Sequence, residues 1–332
     1  MPLLQAGPVG YRGTAQVNLQ LEEGIDVACA TSTRRKGDMA LSQEQVATYQ
    51  REGLLKLPGF FDAEELEPLR RAYREDPTVN GAVYGMVDLK GEPHPICIWT
   101  ELADDILGMI PRMARMVEAT EALLGEACYH WHSKLSIKPP RCRALVDWHQ
   151  DYASWYDDGV LFPSMLTVAV ALEPATRENG CTQFIPGSHH LGRIDHRAGA
   201  DGYNSFGPRQ KRAAEVLGVT HCELDVGDAV FFHCNLLHGS GSNETDTPRP
   251  MLFASYNAAS NAPVAEAHGA NEEGAFMNIP ASEREFKALN KLPDDVLLTK
   301  QYKSAFHHTP FKQPRLGLSG TFSPAVEIDS AR

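Results

Sequence analysis

Between about residues 128 and 258 the chain is cut by proline, glycine and asparagine into short apolar and β-branched runs, and this punctuation limits the fold more than any other feature. Residues 129–138 end at Pro139-Pro140, and 143–151 and 165–172 follow as further strands. Residues 182–185 stop at Pro186-Gly187, 229–233 follow the Gly227-Asp228 turn, and 252–256 follow Pro250. Strands this short and this dense close into a barrel or stack as two sheets. Helices are expected ahead of them. Ser42 and Gln45 read as a capping box for a helix to about Arg51 that Gly53 ends, and LLKLPGFF reads as a short strand or connector. Asp62 caps a second helix with Leu66, Leu69 and Ala72 near one face, and a third runs from about Arg112 to Leu124 before Gly125. The expected division is an arm at 1–40, a strand-rich domain with N-terminal helices at 41–260, and an extension at 261–332 with one capped helix from Ser282.

A chain of 332 residues can bury a sizeable core, and a 42% apolar, 22% charged composition is ordinary for a globular protein. No run approaches the ~18 consecutive apolar residues of a membrane span. The opening MPLLQAGPVGYRG does not read as a secretory signal, so a cytoplasmic protein is expected. A net charge of −12 argues against a nucleic-acid partner, because tracking phosphates needs clustered Lys and Arg. The short basic run at Arg34, Arg35 and Lys36 reads as a solvated loop. Seven scattered cysteines without a CxxC pair read as buried free thiols.

His149-Gln150-Asp151 carries the chemistry. In a strand, residues two apart share a face, so His149 and Asp151 can reach one metal while Gln150 points away. The chain has thirteen histidines, so the third position is contested, with His130, His132, His189, His190, His196, His221 and His233 among the candidates. His238 is preferred, because Gly239, Ser240, Gly241 and Asn243 give it a tight backbone and Arg249 follows eleven residues on. A guanidinium there can grip a carboxylate with two bonds. Two imidazoles and one carboxylate on one face of Fe(II) leave the other open for dioxygen, an oxo-acid and a substrate.

WHQD, ENGCTQFIPGSHHLG and GDAVFFHCNLLHGSGSN, with Arg249 beyond, resemble the phytanoyl-CoA dioxygenase family of Fe(II)- and 2-oxoglutarate-dependent oxygenases over about residues 44–258. Within it, residues 151–159 and 231–257 are most similar to ectoine hydroxylases. The resemblance implies a mainly β protein with flanking helices around a double-stranded β-helix, a cupin-like jelly roll. It implies His149, Asp151 and His238 as catalytic iron ligands, Arg249 and Ser240 on 2-oxoglutarate, and Lys134 on the cosubstrate or exposed at an edge. Trp155 and Phe253 match pocket aromatics, Trp155 as a lid or as plain packing. Thr167 shares a strand face with Ala169 and Ala171, where small residues leave room for substrate.

The expected reaction uses Fe(II), 2-oxoglutarate and O2 to hydroxylate a C–H bond of a small or medium polar metabolite, releasing succinate and CO2. Desaturation or ring closure would use the same ligands. Where ectoine hydroxylases carry Gln-Ser-Arg-Ile-Asn, this chain has His132 to Ser136, which moves the substrate away from ectoine. A non-catalytic cupin-type metal binder and a Zn hydrolase fit the same ligands, but neither needs Arg249. Neither membrane nor nucleic-acid partners are expected; the assembly to test is a homodimer.

Overall fold

The computed structural model describes residues 40–88, 91–100, 102–194, 207–264 and 287–299. The arm up to residue 39, Cys29, the basic run at 34–36, His196 and the helix expected from Ser282 lie outside these. The first half of the described chain runs α1 (Gln43–Glu52), β1 (Leu54–Leu57), α2 (Ala63–Glu75), α3 (Pro77–Ala82), β2 (Tyr84–Val87), β3 (Pro93–Trp99), α4 (Ile106–Met109), α5 (Ala114–Leu124) and β4 (Cys128–Lys138). The second half runs β5 (Val146–His149), α6 (Asp151–Asp157), β6 (Met165–Ala171), β7 (Thr182–Phe184), α7 (Pro208–Leu217), β8 (Thr220–Cys222), β9 (Ala229–His233), β10 (His238–Ser240), β11 (Arg249–Ala258) and α8 (Val296–Thr299).

Two antiparallel sheets form the jelly roll. The larger has the order β1-β9-β6-β11-β4-β3-β2 and the smaller β5-β10-β7-β8. The central strands of the larger sheet are buried on both faces, and the parity of their residues says what each face meets. Leu166, Val168 and Val170 of β6, Phe231 of β9, and Leu252 and Ala254 of β11 join the core formed with α2, α4 and α5. Ala169, Ala171, Val230, Phe232, Met251 and Phe253 point the other way, into a second cluster with Phe184 of the smaller sheet. Each Val, Leu, Phe or Met among these contributes about 1.5–3 kcal/mol by leaving water, each Ala about 0.8. The site-bearing face of the larger sheet is thereby fixed by the helices packed on its back.

The capping box of α1 is present: Gln45 N donates to Ser42 Oγ at 3.2 Å, and Ser42 N donates to Gln45 Oε1 at 2.9 Å. Gly53 ends that helix at φ 76°, a left-handed conformation glycine adopts without strain. Leu66 and Leu69 of α2 are fully buried, and Arg115 of α5 pairs with both Glu65 oxygens at 3.0 Å. Residues 287–299 lie along these helices: Leu292 N donates to Arg112 O, Ala114 N donates to Leu292 O, and Arg115 N donates to Asp294 Oδ1. All six described cysteines are free, five of them buried. No helix among the described residues is long and apolar enough to cross a membrane.

Several boundaries differ from the sequence reading. The strand expected over 143–151 is only Val146–His149, and Asp151 opens α6. The final strand begins at Arg249 and takes in Pro250. Proline is tolerated near a strand start, where its missing N–H costs little, and here its carbonyl still accepts from Leu172 N. Strands β2, β3 and β8 and helices α3, α4 and α7 are additions. Pro93 and Pro95 mask β3, and Pro208 masks α7, because proline signals a break; the other four are no more than six residues long.

Candidate active site

His149 of β5 and His238 of β10 are cross-strand partners in the smaller sheet, which brings their rings to 4.1 Å between centroids. A backbone carbonyl fixes each imidazole. His149 Nδ1 lies 2.7 Å from Asp147 O, and His238 Nδ1 lies 2.9 Å from Leu236 O. A carbonyl can only accept, so both Nδ1 atoms carry the proton and both Nε2 lone pairs are free to bind a metal. These Nε2 atoms lie 3.5 Å and 3.8 Å from Asp151 Oδ1. Three ligand atoms within 4.8 Å of one another make up the metal-capable group found among the described residues.

Asp151 reaches that position although the strand has ended, because Gln150 between them keeps extended angles (φ −114°, ψ 132°). The alternation of the strand therefore continues for one residue. Gln150 points away, and its amide is fully used: Nε2 donates to Gly192 O at 2.9 Å and Asn235 O at 2.7 Å, and Oε1 accepts from Ile194 N at 2.7 Å. Trp148 also faces away, packing against Ile185, Ile194, Ala213 and Leu237. Gly239 follows His238 because a Cβ there would lie 2.7 Å from Val146 O of the paired strand.

The electrostatics suit a dication. Burial raises the Asp151 carboxyl, but His238, Lys134 and His149 outweigh it and hold it below the ordinary carboxylate range. Burial, with His149 beside it, pushes His238 down to about 3, so its imidazole is neutral. An anionic oxygen and neutral nitrogens on one side are a donor set that fits Fe(II). The other Asp151 oxygen, Oδ2, accepts from Thr167 Oγ1 at 3.2 Å, and Thr167 Oγ1 lies 2.9 Å from Ser255 Oγ.

A second cluster lies further along the inward face of the larger sheet. Arg249 of β11 is the cross-strand partner of Lys138 of β4, and both are buried. Arg249 Nε has no hydrogen-bond partner, and burial lowers the guanidinium to about 10. Among the described residues no carboxylate pairs with it, so a buried cation faces the interior without a counterion. That is the condition a bound dicarboxylate would relieve. Lys138 Nζ donates to Ala144 O at 2.9 Å and to Gly241 O. Burial and Arg249 push Lys138 down to about 7. His94 of β3 stands beside them with Nε2 at 2.8 Å from Ser136 Oγ, and burial together with Lys138, Arg249 and Lys134 lowers its pKa. Ser240 lies two residues past His238 on β10, on the same side of that strand.

Lys134 is half-buried nearer the metal ligands, with Nζ 5.1 Å from the Phe253 ring centroid. A rise of roughly 3.3 Å per residue separates it from Lys138 by about 13 Å of strand. Trp155 of α6 is buried with Tyr129, Trp131, Tyr152 and Val160, its ring edge-on to His132 at 5.7 Å. Thr167 is fully buried with its hydroxyl engaged as above. His189 and His233 lie elsewhere: His189 Nε2 is 3.0 Å from Gln50 O, and His233 Nδ1 accepts from Asn235 N. Arg141 sits at φ 57° on the surface and pairs with Asp246.

Lys138, His94, Ser136 and Ser255 were not singled out by sequence reasoning. The signal for Lys138 was the inward alternation it shares with Lys134; the missing knowledge was the register that sets it beside Arg249.

A buried cation facing an Fe(II)-type ligand set across a jelly roll is the arrangement of the 2-oxoglutarate-dependent non-haem iron oxygenases, which work with Fe(II), the oxo-acid and O2. The chain belongs to the phytanoyl-CoA dioxygenase family, whose model matches residues 49–251. It is 29% identical over 269 residues to an ectoine dioxygenase of Bordetella bronchiseptica, covering 76% of this chain and 86% of that one. To an L-proline trans-4-hydroxylase of Streptomyces griseoviridis it is 30% identical over 177 residues, 48% of this chain and 66% of that one. Among solved structures, EctD from S. alaskensis with 2-oxoglutarate and 5-hydroxyectoine superposes with a TM-score of 0.57 at 26% identity, covering 70% of this chain and 82% of that one. The protein is an Fe(II)- and 2-oxoglutarate-dependent hydroxylase.

Proposed function

We propose that the substrate is a small or medium polar metabolite bearing a carboxylate, and that the site handles two anions from two ends. The observation that carries this reading is the separation of Lys134 from the Arg249–Lys138 pair along one strand face. Arg249 and Lys138, with Ser240 opposite, hold the far carboxylate of 2-oxoglutarate. His149, Asp151 and His238 hold the iron, to which the oxo-acid's other end binds. That accounts for both carboxylates of the cosubstrate and leaves Lys134, expected on the cosubstrate, for an anionic group of the substrate.

Bound iron with 2-oxoglutarate and O2 supplies the oxidising power, the oxo-acid leaving as succinate and CO2. The protein's own residues bind, orient and exclude water. Fixed Nδ1 protons keep both imidazoles in the ligating tautomer, and the buried aromatics around Trp155 keep water from that end of the site. Phe253 carries the Lys134 ammonium over its ring, a contact of about 0.5–2 kcal/mol that holds the charge in place. Relatives named for ectoine and L-proline support a small polar substrate, and replacement of the Gln-Ser-Arg-Ile-Asn run here by His132 to Ser136 argues for a molecule other than ectoine.

Succinate formation by the Fe(II)-loaded protein in air, screened over free amino acids, cyclic amino-acid derivatives and natural-product intermediates, tests this. Substrates with a carboxylate should stimulate succinate release, and their uncharged amides should not. Lys134→Met should raise KM for such a substrate roughly tenfold or more and leave KM for 2-oxoglutarate within about twofold, as expected for loss of one charge-assisted contact. The opposite split, with 2-oxoglutarate the ligand that weakens, would overturn the assignment of Lys134.

A further inference from the structure

We propose that Thr167 and Ser255 form a hydroxyl relay that positions Asp151, holding one carboxylate oxygen so that only the other faces the metal. The inference rests on the reading of Asp151 as an iron ligand and deepens it. It moves Thr167 from the substrate, where its strand face suggested it, to the metal carboxylate.

The hydrogen atoms in this relay can be assigned from chemistry. Asp151 is ionised and accepts only, so Thr167 Oγ1, 3.2 Å from Oδ2, must donate to it. Having spent its single proton, Thr167 Oγ1 accepts at 2.9 Å from Ser255 Oγ. The direction is therefore Ser255 to Thr167 to Asp151. Ser255 and Thr167 are cross-strand partners of β11 and β6, both at most 1% exposed, so water does not compete for either hydroxyl. Meanwhile Oδ1 is the oxygen within 3.5–3.8 Å of both Nε2 atoms.

Dividing the carboxylate in this way has a consequence for coordination. An oxygen that accepts a hydrogen bond from a fully buried hydroxyl is a poorer and less mobile donor, so Asp151 would offer a metal Oδ1 and withhold Oδ2. The second carboxylate oxygen would then not compete with the oxo-acid for the metal. Asp151 opens a helix rather than closing a strand, so its backbone lacks the cross-strand bonds that steady His149 and His238. The relay ties it instead to the larger sheet.

Anaerobic titration of the metal-free protein with Fe(II), and with Co(II) read by visible absorption, tests this on wild type, Thr167→Val, Thr167→Ser and Ser255→Ala. Thr167→Val keeps shape and loses the donor, and should weaken metal binding about 10–100-fold, the range seen when a ligand's supporting hydrogen bond is removed. Thr167→Ser restores the hydroxyl and should bind within about threefold of wild type. Ser255→Ala leaves the last bond and should weaken binding by a smaller factor. The Co(II) spectrum of Thr167→Val should change in shape, which a purely structural role would not produce. Wild-type metal affinity and spectrum in Thr167→Val would overturn the proposal. Were that variant not to fold, unchanged affinity in Ser255→Ala would do the same. Wild-type protein that binds metal but shows no response to 2-oxoglutarate would instead count against the cosubstrate reading and leave the relay standing.

Discussion

Cosubstrate binding should depend on pH through Lys138. Its ammonium is buried beside Arg249, bonded among the described residues to two backbone carbonyls, and pushed down to about 7 by burial first and Arg249 second. The titratable and charged groups near it are Arg249 on β11, His94 on β3, Cys142 beyond β4 and Asp88 beyond β2. Asp88 is already occupied by the amides of Glu92 and Leu145. A carboxylate arriving at Arg249 cancels the repulsion that discourages the ammonium, so the anion and a proton bind together. The sign follows: affinity is full below about pH 7 and falls as pH rises through that value. A group titrating at about 7 is only about one-tenth protonated at about pH 8, so the dissociation constant for 2-oxoglutarate should rise roughly tenfold from about pH 6 to about pH 8, or ~1.4 kcal/mol. Calorimetry on the Fe(II)-loaded, anaerobic protein in buffers of different ionisation enthalpy would show close to one proton taken up at the higher pH. Lys138→Arg, permanently charged, should lose both the uptake and the slope. 2-Oxobutyrate, with the same keto-acid head and no far carboxylate, should show neither. A flat affinity for wild type, or proton uptake that persists in Lys138→Met, would refute the reasoning.

Two further outcomes follow from the same balance of buried charge. Arg249→Met should raise KM for 2-oxoglutarate about 100-fold or more, the loss of a buried charge-assisted pair being worth roughly 2–5 kcal/mol. The same change should leave the cosubstrate-free protein as stable as wild type or raise its Tm, since it removes a buried cation with an unpartnered Nε. A large drop in Tm would mean that Arg249 has a structural partner. Glu65→Ala should cost about 1–3 kcal/mol in urea unfolding, because Arg115, only 11% exposed, would lose the carboxylate that takes both its Nη atoms but keep Asp294 at 3.2 Å and the carbonyls of Phe60 and Asp294. Metal affinity measured on the folded fraction should be unchanged, the pair lying among the helices behind the larger sheet.

Much of this site can be read along the chain, and the reason is local. His149 and Asp151 sit two apart, and a period of two survives a change from strand to helix as long as Gln150 stays extended. The spacing from His238 to Arg249 is likewise held by one short connection between two consecutive strands, β10 of the smaller sheet and β11 of the larger. What could not be read depends on register between strands distant in sequence. Lys134 and Lys138 have the same parity on β4, and only the pairing with β11 assigns one to Phe253 and the other to Arg249. The hydroxyl of Thr167 was legible as a small inward group, but the partners that claim it, Ser255 and Asp151, lie 88 and 16 residues away.

That division explains why the reaction class is more legible than the substrate. The chemistry needs a few side chains, most of whose relative positions one strand or one short connection between consecutive strands determines, so their spacing is preserved in sequence. The proposed substrate contacts are spread over β4, β11 and α6, with Lys134, Phe253 and Trp155 each contributed by a different one. Each looks ordinary in its own segment. Assembled, they place a half-buried ammonium on an aromatic ring at the metal end and two fully buried cations at the other. Under the proposed reading, a substrate carboxylate would give the Lys134 ammonium, already near Asp151, an anion of its own once the oxo-acid is bound at the far end, and a neutral substrate would not.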